Sequence, residues 1–295
     1  MPSGRSPAPT VTGRPPSRLV RWETWELIVA VGLALVALVG AVYPTRWTAA
    51  DRPGRWFLES VIRNAVFALV PILLLVFKHK QPLLGTLVPR DRVVTDFGWG
   101  LEIALAVGAF NVMAIKRALP ALEAMNSGAV AASSAPYPWH YLGVYQIANM
   151  RELVLFFFGW GVFPPLGEEL FFRGFLFAAF RRRMKAGYAI LLSAVAFSLI
   201  HYPPGVSVLA LRMSHLEPMV ATLILGIVSA TVYEFSGSIL SPIMIHMGLN
   251  VSFVVFTAMG GELAGLVPIW ILIPAAIIFL LHFFISSKHL FRRKR

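Results

Sequence analysis

Eight apolar runs, each a candidate membrane span, constrain this chain more than any other feature. They lie near Leu27–Tyr43, Phe57–Phe77, Phe97–Ile115, Ile147–Phe180, Gly187–Tyr202, Pro218–Phe235, Ile239–Ala258 and Ala264–Ile285. A helix satisfies its own backbone polar groups in hydrocarbon, so the runs predict an all-α, polytopic membrane helix bundle of about eight transmembrane helices. Composition agrees: 14% of the 295 residues are charged, against about 25% in soluble domains, and the mean hydropathy is +0.72. Pro71 and Pro164-Pro165 fall inside runs and predict kinks rather than ends. No internal repeat is visible, which argues against a transporter of the inverted-repeat type.

The formal net charge of +12 takes its meaning from where the cations sit. With both termini cytoplasmic, 17 of the 26 Lys and Arg fall in inner loops and tails, as the positive-inside rule requires. The charge therefore reads as topology with some attraction to lipid headgroups, and the expected partner is the membrane lipid bilayer, with no nucleic acid. Residues 1–22, rich in Pro, Ser and Arg, read as a disordered basic tail rather than a signal peptide. Residues 23–287 read as one transmembrane domain and 288–295 as a basic cytoplasmic tail. A multi-pass protein of the cell's inner membrane is the expected location. With no Cys, any chemistry has to use carboxylate, imidazole, hydroxyl or amide groups.

Ionisable side chains at bilayer depth cost at least about 2.5 kcal/mol each, so each calls for a function or a partner. The fourth run contains Pro164-Pro165-Leu166-Gly167-Glu168-Glu169-Leu170-Phe171-Phe172-Arg173. Glu169 and Arg173 are spaced i,i+4 and predict a structural ion pair. Glu168 points about 100° away from Glu169 and is expected to face a cavity. The fifth run carries Phe197 and His201, the seventh His246 and Asn250, each pair on one helix face. Phe197 is expected to wall the site beside His201. Counted from the cytoplasmic edge at about 1.5 Å per residue, Glu168 and His201 both lie ~20 Å deep. An acid that takes a proton from water, an imidazole beside it, and fixed donors from His246 and Asn250 suit water attack on an acyl carbon.

Glu-Glu-x-x-x-Arg at 168–173, Phe-x-x-x-His at 197–201 and His-x-x-x-Asn at 246–250, in that order and in separate runs, resemble the CAAX protease and bacteriocin-processing family. This family of intramembrane proteases is also called CPBP, Abi or Rce1-type. The likeness covers about residues 159–256. It implies that Glu168 is the catalytic residue, that His201 helps it activate water, that His246 and Asn250 form the oxyanion site, and that Glu169 and Arg173 support the structure. An endopeptidase acting on membrane-anchored proteins or peptides is the function it implies, without specifying prenylated substrates.

Two rival readings go with it. Glu168, His201 and His246 make a His2Glu set of the kind that binds Zn2+, although no His-Glu-x-x-His stretch is present; the glutamate mechanism requires no cofactor. A non-catalytic immunity or scaffold protein, or a proton-coupled carrier, is the alternative from another class. Arg63 is expected to pair with Glu59 at i,i+4.

Overall fold

The computed structural model describes residues 23–42, 52–81, 87–88, 93–106, 108, 149–201 and 213–263. The tail at 1–22, the outer loop at 116–146, the eighth expected span at 264–285 and the tail at 288–295 lie outside the described residues. Within them the chain is all-helical. Helix α1 is Thr24–Val42, and α2 is Arg52–Leu73, continued by a π-helical turn at Leu74–Lys78. Helix α3 covers 93–106, α4 is Met150–Arg181, α5 is Ala186–Leu199, α6 is Met213–Ser236 and α7 is Leu240–Leu263.

Phe57–Lys78, Met150–Arg181 and Met219–Ser236 are long and apolar enough to cross a membrane, and Thr24–Leu33, Ala186–Leu199 and Leu240–Val254 are shorter apolar helices. The apolar surface faces outward, as an integral membrane protein requires. Leu191, Val195 and Leu199 form an exposed stripe on α5, as do Val220, Ile224 and Ile227 on α6, while Glu168, Glu169, Arg173 and His246 are buried. Ionisable groups that turn inward find partners there instead of paying for exposure to lipid.

Contacts between helix ends fix the relative direction of the helices. Glu26, at the start of α1, meets Lys78 at 3.0 Å and His79 at 2.9 Å, just where α2 finishes. The Ile239 amide, before α7, donates to the Leu87 carbonyl, before α3, at 2.8 Å, and Ser241 donates to the Asp96 carbonyl at 2.8 Å. Arg181 Nε, where α4 stops, donates to Glu234, where α6 stops, at 2.9 Å. The helices therefore run alternately up and down, with α1, α3, α5 and α7 starting at one end of the bundle.

Close packing depends on small residues, as is usual where lipid supplies no hydrophobic drive between helices. On α3, Gly100 and Ala104 face α7, as does Gly108 four residues further along the chain. A Cβ at Gly248 would sit 2.6 Å from the Ala104 Cα. Gly167 on α4 has the same relation to α2, where its Cβ would lie 2.8 Å from the Asn64 Cα. An aromatic seam joins α2, α4 and α5: Phe67 stacks on Phe171 at 5.2 Å, Phe171 meets Phe172 edge-on at 5.1 Å, and Phe172 meets Phe197 at 5.2 Å.

The Gly167 contact gives a direct test of packing. Gly167→Ala is expected to destabilise the protein by about 1–3 kcal/mol, the usual range for an overpacked core. Gly187→Ala, with nothing within 4 Å of the new Cβ, is expected to be neutral or slightly stabilising. Thermal unfolding in detergent of the two variants checks this, and equal effects would remove the close-packing argument.

Candidate active site

Helix α4 carries the acids, and its path is irregular for a reason that starts in its sequence. Asn149 caps it, accepting from the Glu152 amide at 3.0 Å. After a regular stretch at Met150–Phe156 the chain widens into a π-helical segment at Phe157–Val162, returns to α at Phe163–Glu169, and widens again at Leu170–Phe177. Such segments recur at functional sites. Pro164 and Pro165 have no N–H, so the Trp160 carbonyl has no donor at either i+4 or i+5. Asn250 on α7 supplies one, its side-chain amide donating to the Trp160 carbonyl at 3.0 Å. The Gly159 carbonyl, which would face Pro164 in π register, instead accepts from the Ser60 hydroxyl of α2.

Glu168 and Glu169 end the central α segment, both buried, and the His246 ring occupies the notch between them. His246 Nδ1 donates to Glu169 Oε1 at 3.0 Å, while Nε2 faces Glu168 Oε2 at 3.9 Å. Glu169 Oε2 lies 3.0 Å from Arg173 Nε at an angle too oblique for a directed hydrogen bond, so charge holds this pair. Arg173 Nη2 donates to the Gly226 carbonyl of α6 at 3.3 Å, and its guanidinium lies over the Phe197 ring at 4.5 Å. Arg173, Glu169 and His246 thus form one relay across α6, α4 and α7, ending at Glu168. Glu168 Oε2 is buried with no hydrogen-bond partner among the described residues.

His201 comes from α5. That helix has 14 residues, about 21 Å at 1.5 Å each, short of a hydrocarbon core of about 30 Å. It ends at Leu199, three residues before the end of the expected run at Tyr202. Pro203 supplies the reason, because the residue before a proline avoids helical backbone angles. The His201 amide donates to the Ser198 carbonyl at 3.0 Å, and Nδ1 donates to the Phe197 carbonyl at 2.9 Å. A carbonyl can only accept, so Nδ1 holds the hydrogen and, in the neutral ring, Nε2 presents a lone pair. Glu168, Arg63 and His246 lie within coulombic reach of the ring. Phe197 packs its ring edge-on to His201 at 5.0 Å and to His246 at 5.6 Å, walling both imidazoles.

Of the residues singled out in the sequence, Glu168, Glu169, Arg173, Phe197, His201 and His246 are joined by these contacts. Asn250 stands one turn beyond His246 on α7, with one amide hydrogen spent on Trp160. Three features went unread. Glu169 reaches His246 as well as Arg173, and i,i+4 spacing on one helix contains no sign of that. Asn250 meets the Trp160 carbonyl, which the Pro164-Pro165 pair could have signalled. Arg63, expected to pair with Glu59 along its own helix, places Nη2 3.7 Å from Glu168 Oε1 across the α2–α4 contact.

No curated protein and no solved structure matches the chain. Residues 150–252, from the first turn of α4 into the middle of α7, match the model of the family described as type II CAAX prenyl endopeptidase Rce1-like. All seven of the clustered and neighbouring motif residues fall inside this matched segment, about a third of the chain.

Proposed function

We propose that the chain is a multi-pass intramembrane endopeptidase that hydrolyses peptide bonds of membrane-anchored proteins or peptides, with Glu168 as its general base. The Rce1-like family is described as a prenyl endopeptidase family, which supports a membrane protease. One observation carries the mechanism: Glu168 Oε2 is buried, has no hydrogen-bond partner among the described residues, and faces His246 Nε2 at 3.9 Å. An acceptor left open in this way is placed to take a proton from water.

In the proposed reaction Glu168 removes one proton from a water molecule, with the His201 Nε2 lone pair orienting that water. The water oxygen bonds to the scissile carbonyl carbon, and the carbonyl electron pair moves to oxygen. The second amide hydrogen of Asn250 and, with both ring nitrogens protonated, the His246 Nε2–H are the proposed donors to that oxyanion. The oxyanion electron pair then re-forms the C=O bond as the C–N bond breaks, Glu168 returns its proton to the departing nitrogen, and the products are an amine and a carboxylic acid that ionises. Glu169 and Arg173 act earlier in the relay by fixing the His246 ring.

A zinc mechanism fits these side chains less well. Among the described residues no three His, Asp or Glu side chains converge on a common point suited to a metal ion. Arg63 also places a guanidinium 3.7 Å from Glu168, where a dication would be repelled. The proposed enzyme lies in the inner membrane with both termini cytoplasmic.

The test is cleavage by purified protein in bilayers of two membrane-delivered peptides, one ending in a prenylated CAAX sequence and one unprenylated, before and after chelation. Cleavage of either that survives chelation supports the glutamate mechanism. Loss on chelation with recovery on zinc addition would replace it with a metalloprotease. Absence of cleavage together with Glu168-dependent proton transport in vesicles would identify a carrier instead.

A further inference from the structure

Helix α2 lies outside the matched segment, yet it places a cation beside Glu168. The placement follows from Gly167: with no side chain there, the α2 backbone closes on α4 at Asn64, and the preceding residue, Arg63, is set against the next one, Glu168. Among the described residues, the buried or nearly buried arginine pairs Arg173 with Glu169 and Arg181 with Glu234 are tight, at 3.0 Å and 2.9 Å. Arg63 is different. Its Nη2 stands 3.7 Å from Glu168 Oε1, beyond hydrogen-bonding distance, its Nε is buried without an acceptor, and its side chain keeps 31% exposure. It is close enough to act through charge and loose enough to leave the carboxylate oxygens open.

Resting on the proposed glutamate mechanism, we infer that Arg63 is a positioning residue of the same reaction, the counter-ion that serves the Glu168 carboxylate and then the oxyanion. As Glu168 takes the proton from water it loses its charge, and one negative charge appears on the carbonyl oxygen a few ångströms away. Negative charge is moved rather than created, so a fixed cation beside both positions stabilises the state before the transfer and the state after it. The other groups facing Glu168 are His246 from α7 and, within coulombic reach, His201 from α5 and Arg173 from α4 itself. Of the two arginines, Arg173 is committed to Glu169, Gly226 and Phe197.

The experiment measures kcat and KM for full-length Arg63→Met, Arg63→Lys and Glu168→Gln, and for Arg63→Met combined with Glu168→Gln, with thermal unfolding alongside. Arg63→Met is expected to lower kcat about 100-fold, the effect typical of losing one fixed electrostatic group, with KM changed less than threefold. Arg63→Lys is expected to recover at least a tenth of wild-type kcat, and Arg63→Met to have no further effect once Glu168 is Gln. If Arg63→Met fails to fold, the Lys variant decides, and a folded Lys variant with kcat as low as that of Glu168→Gln overturns the inference. A change confined to KM, or equal kcat losses for Met and Lys, would also overturn it. An active Glu168→Gln would refute the underlying mechanism, whereas an inactive one beside a fully active Arg63→Met refutes only the role of Arg63.

Discussion

Glu168→Gln is expected to abolish peptide hydrolysis while leaving the fold intact, lowering kcat by roughly 10²–10⁴-fold, the range general-base catalysis supplies. Gln keeps the size of the side chain and loses the basic oxygen. The buried Oε2 position has no hydrogen-bond partner among the described residues, so the exchange breaks no directed hydrogen bond to them. The Arg63 contact at 3.7 Å is also not a hydrogen bond, and Arg63 is partly exposed, so its charge is not stranded in the interior. Unfolding temperature should stay within a few degrees of wild type while activity disappears. A Glu168→Gln protein that still cleaves would remove Glu168 as the base. One that merely unfolds would show that the carboxylate is structural.

The neighbouring acid is expected to behave in the opposite way. Glu169→Gln leaves Arg173, wholly buried, without its counter-ion, and Arg173→Met leaves Glu169 without its cation. Removing one partner of a buried pair typically costs 3–5 kcal/mol, roughly, because the remaining charge is stranded. Replacing both, as Glu169→Gln with Arg173→Met, is expected to recover a large part of that loss. Activity should not return with it, since the His246 ring loses the carboxylate that accepts from Nδ1. Thermal unfolding of the two single variants and the double variant provides the cycle. A double variant less stable than either single one would show that the pair does not act as a unit.

These contrasting expectations for adjacent glutamates show how much could be read beforehand. The membrane helices were legible because hydrocarbon demands long apolar runs, and Phe57–Lys78, Met150–Arg181 and Met219–Ser236 are long and apolar enough to cross. The Glu168, His201 and His246 grouping was legible because intramembrane charges are rare enough to stand out. Arg63 stood out too, but its nearest acid in sequence was Glu59. The contact with Glu168 depends on how closely α2 and α4 approach at Gly167, a distance between helices that no spacing along one helix contains. The early end of α5 was marked by Pro203, and hydropathy alone overlooked it. Asn250 illustrates a third limit: the residue was identified by its spacing from His246, while the Trp160 carbonyl it satisfies was orphaned by prolines about ninety residues earlier.

The π-helical segment at Phe157–Val162 bears on this last point in another way. Depth in the bilayer and azimuth about the helix axis are separate coordinates, and a residue in an i→i+5 turn advances less around the axis than one in an α-helix. The widened segment therefore acts as an angular offset upstream of Glu168, and the prolines with their Ser60 and Asn250 donors keep that offset in place. Deleting a single residue between Phe157 and Val162 would let the widened turn close to α geometry with Glu168 at nearly the same azimuth, whereas the same deletion in a regular α turn would swing the carboxylate by about 100° away from Arg63 and His246.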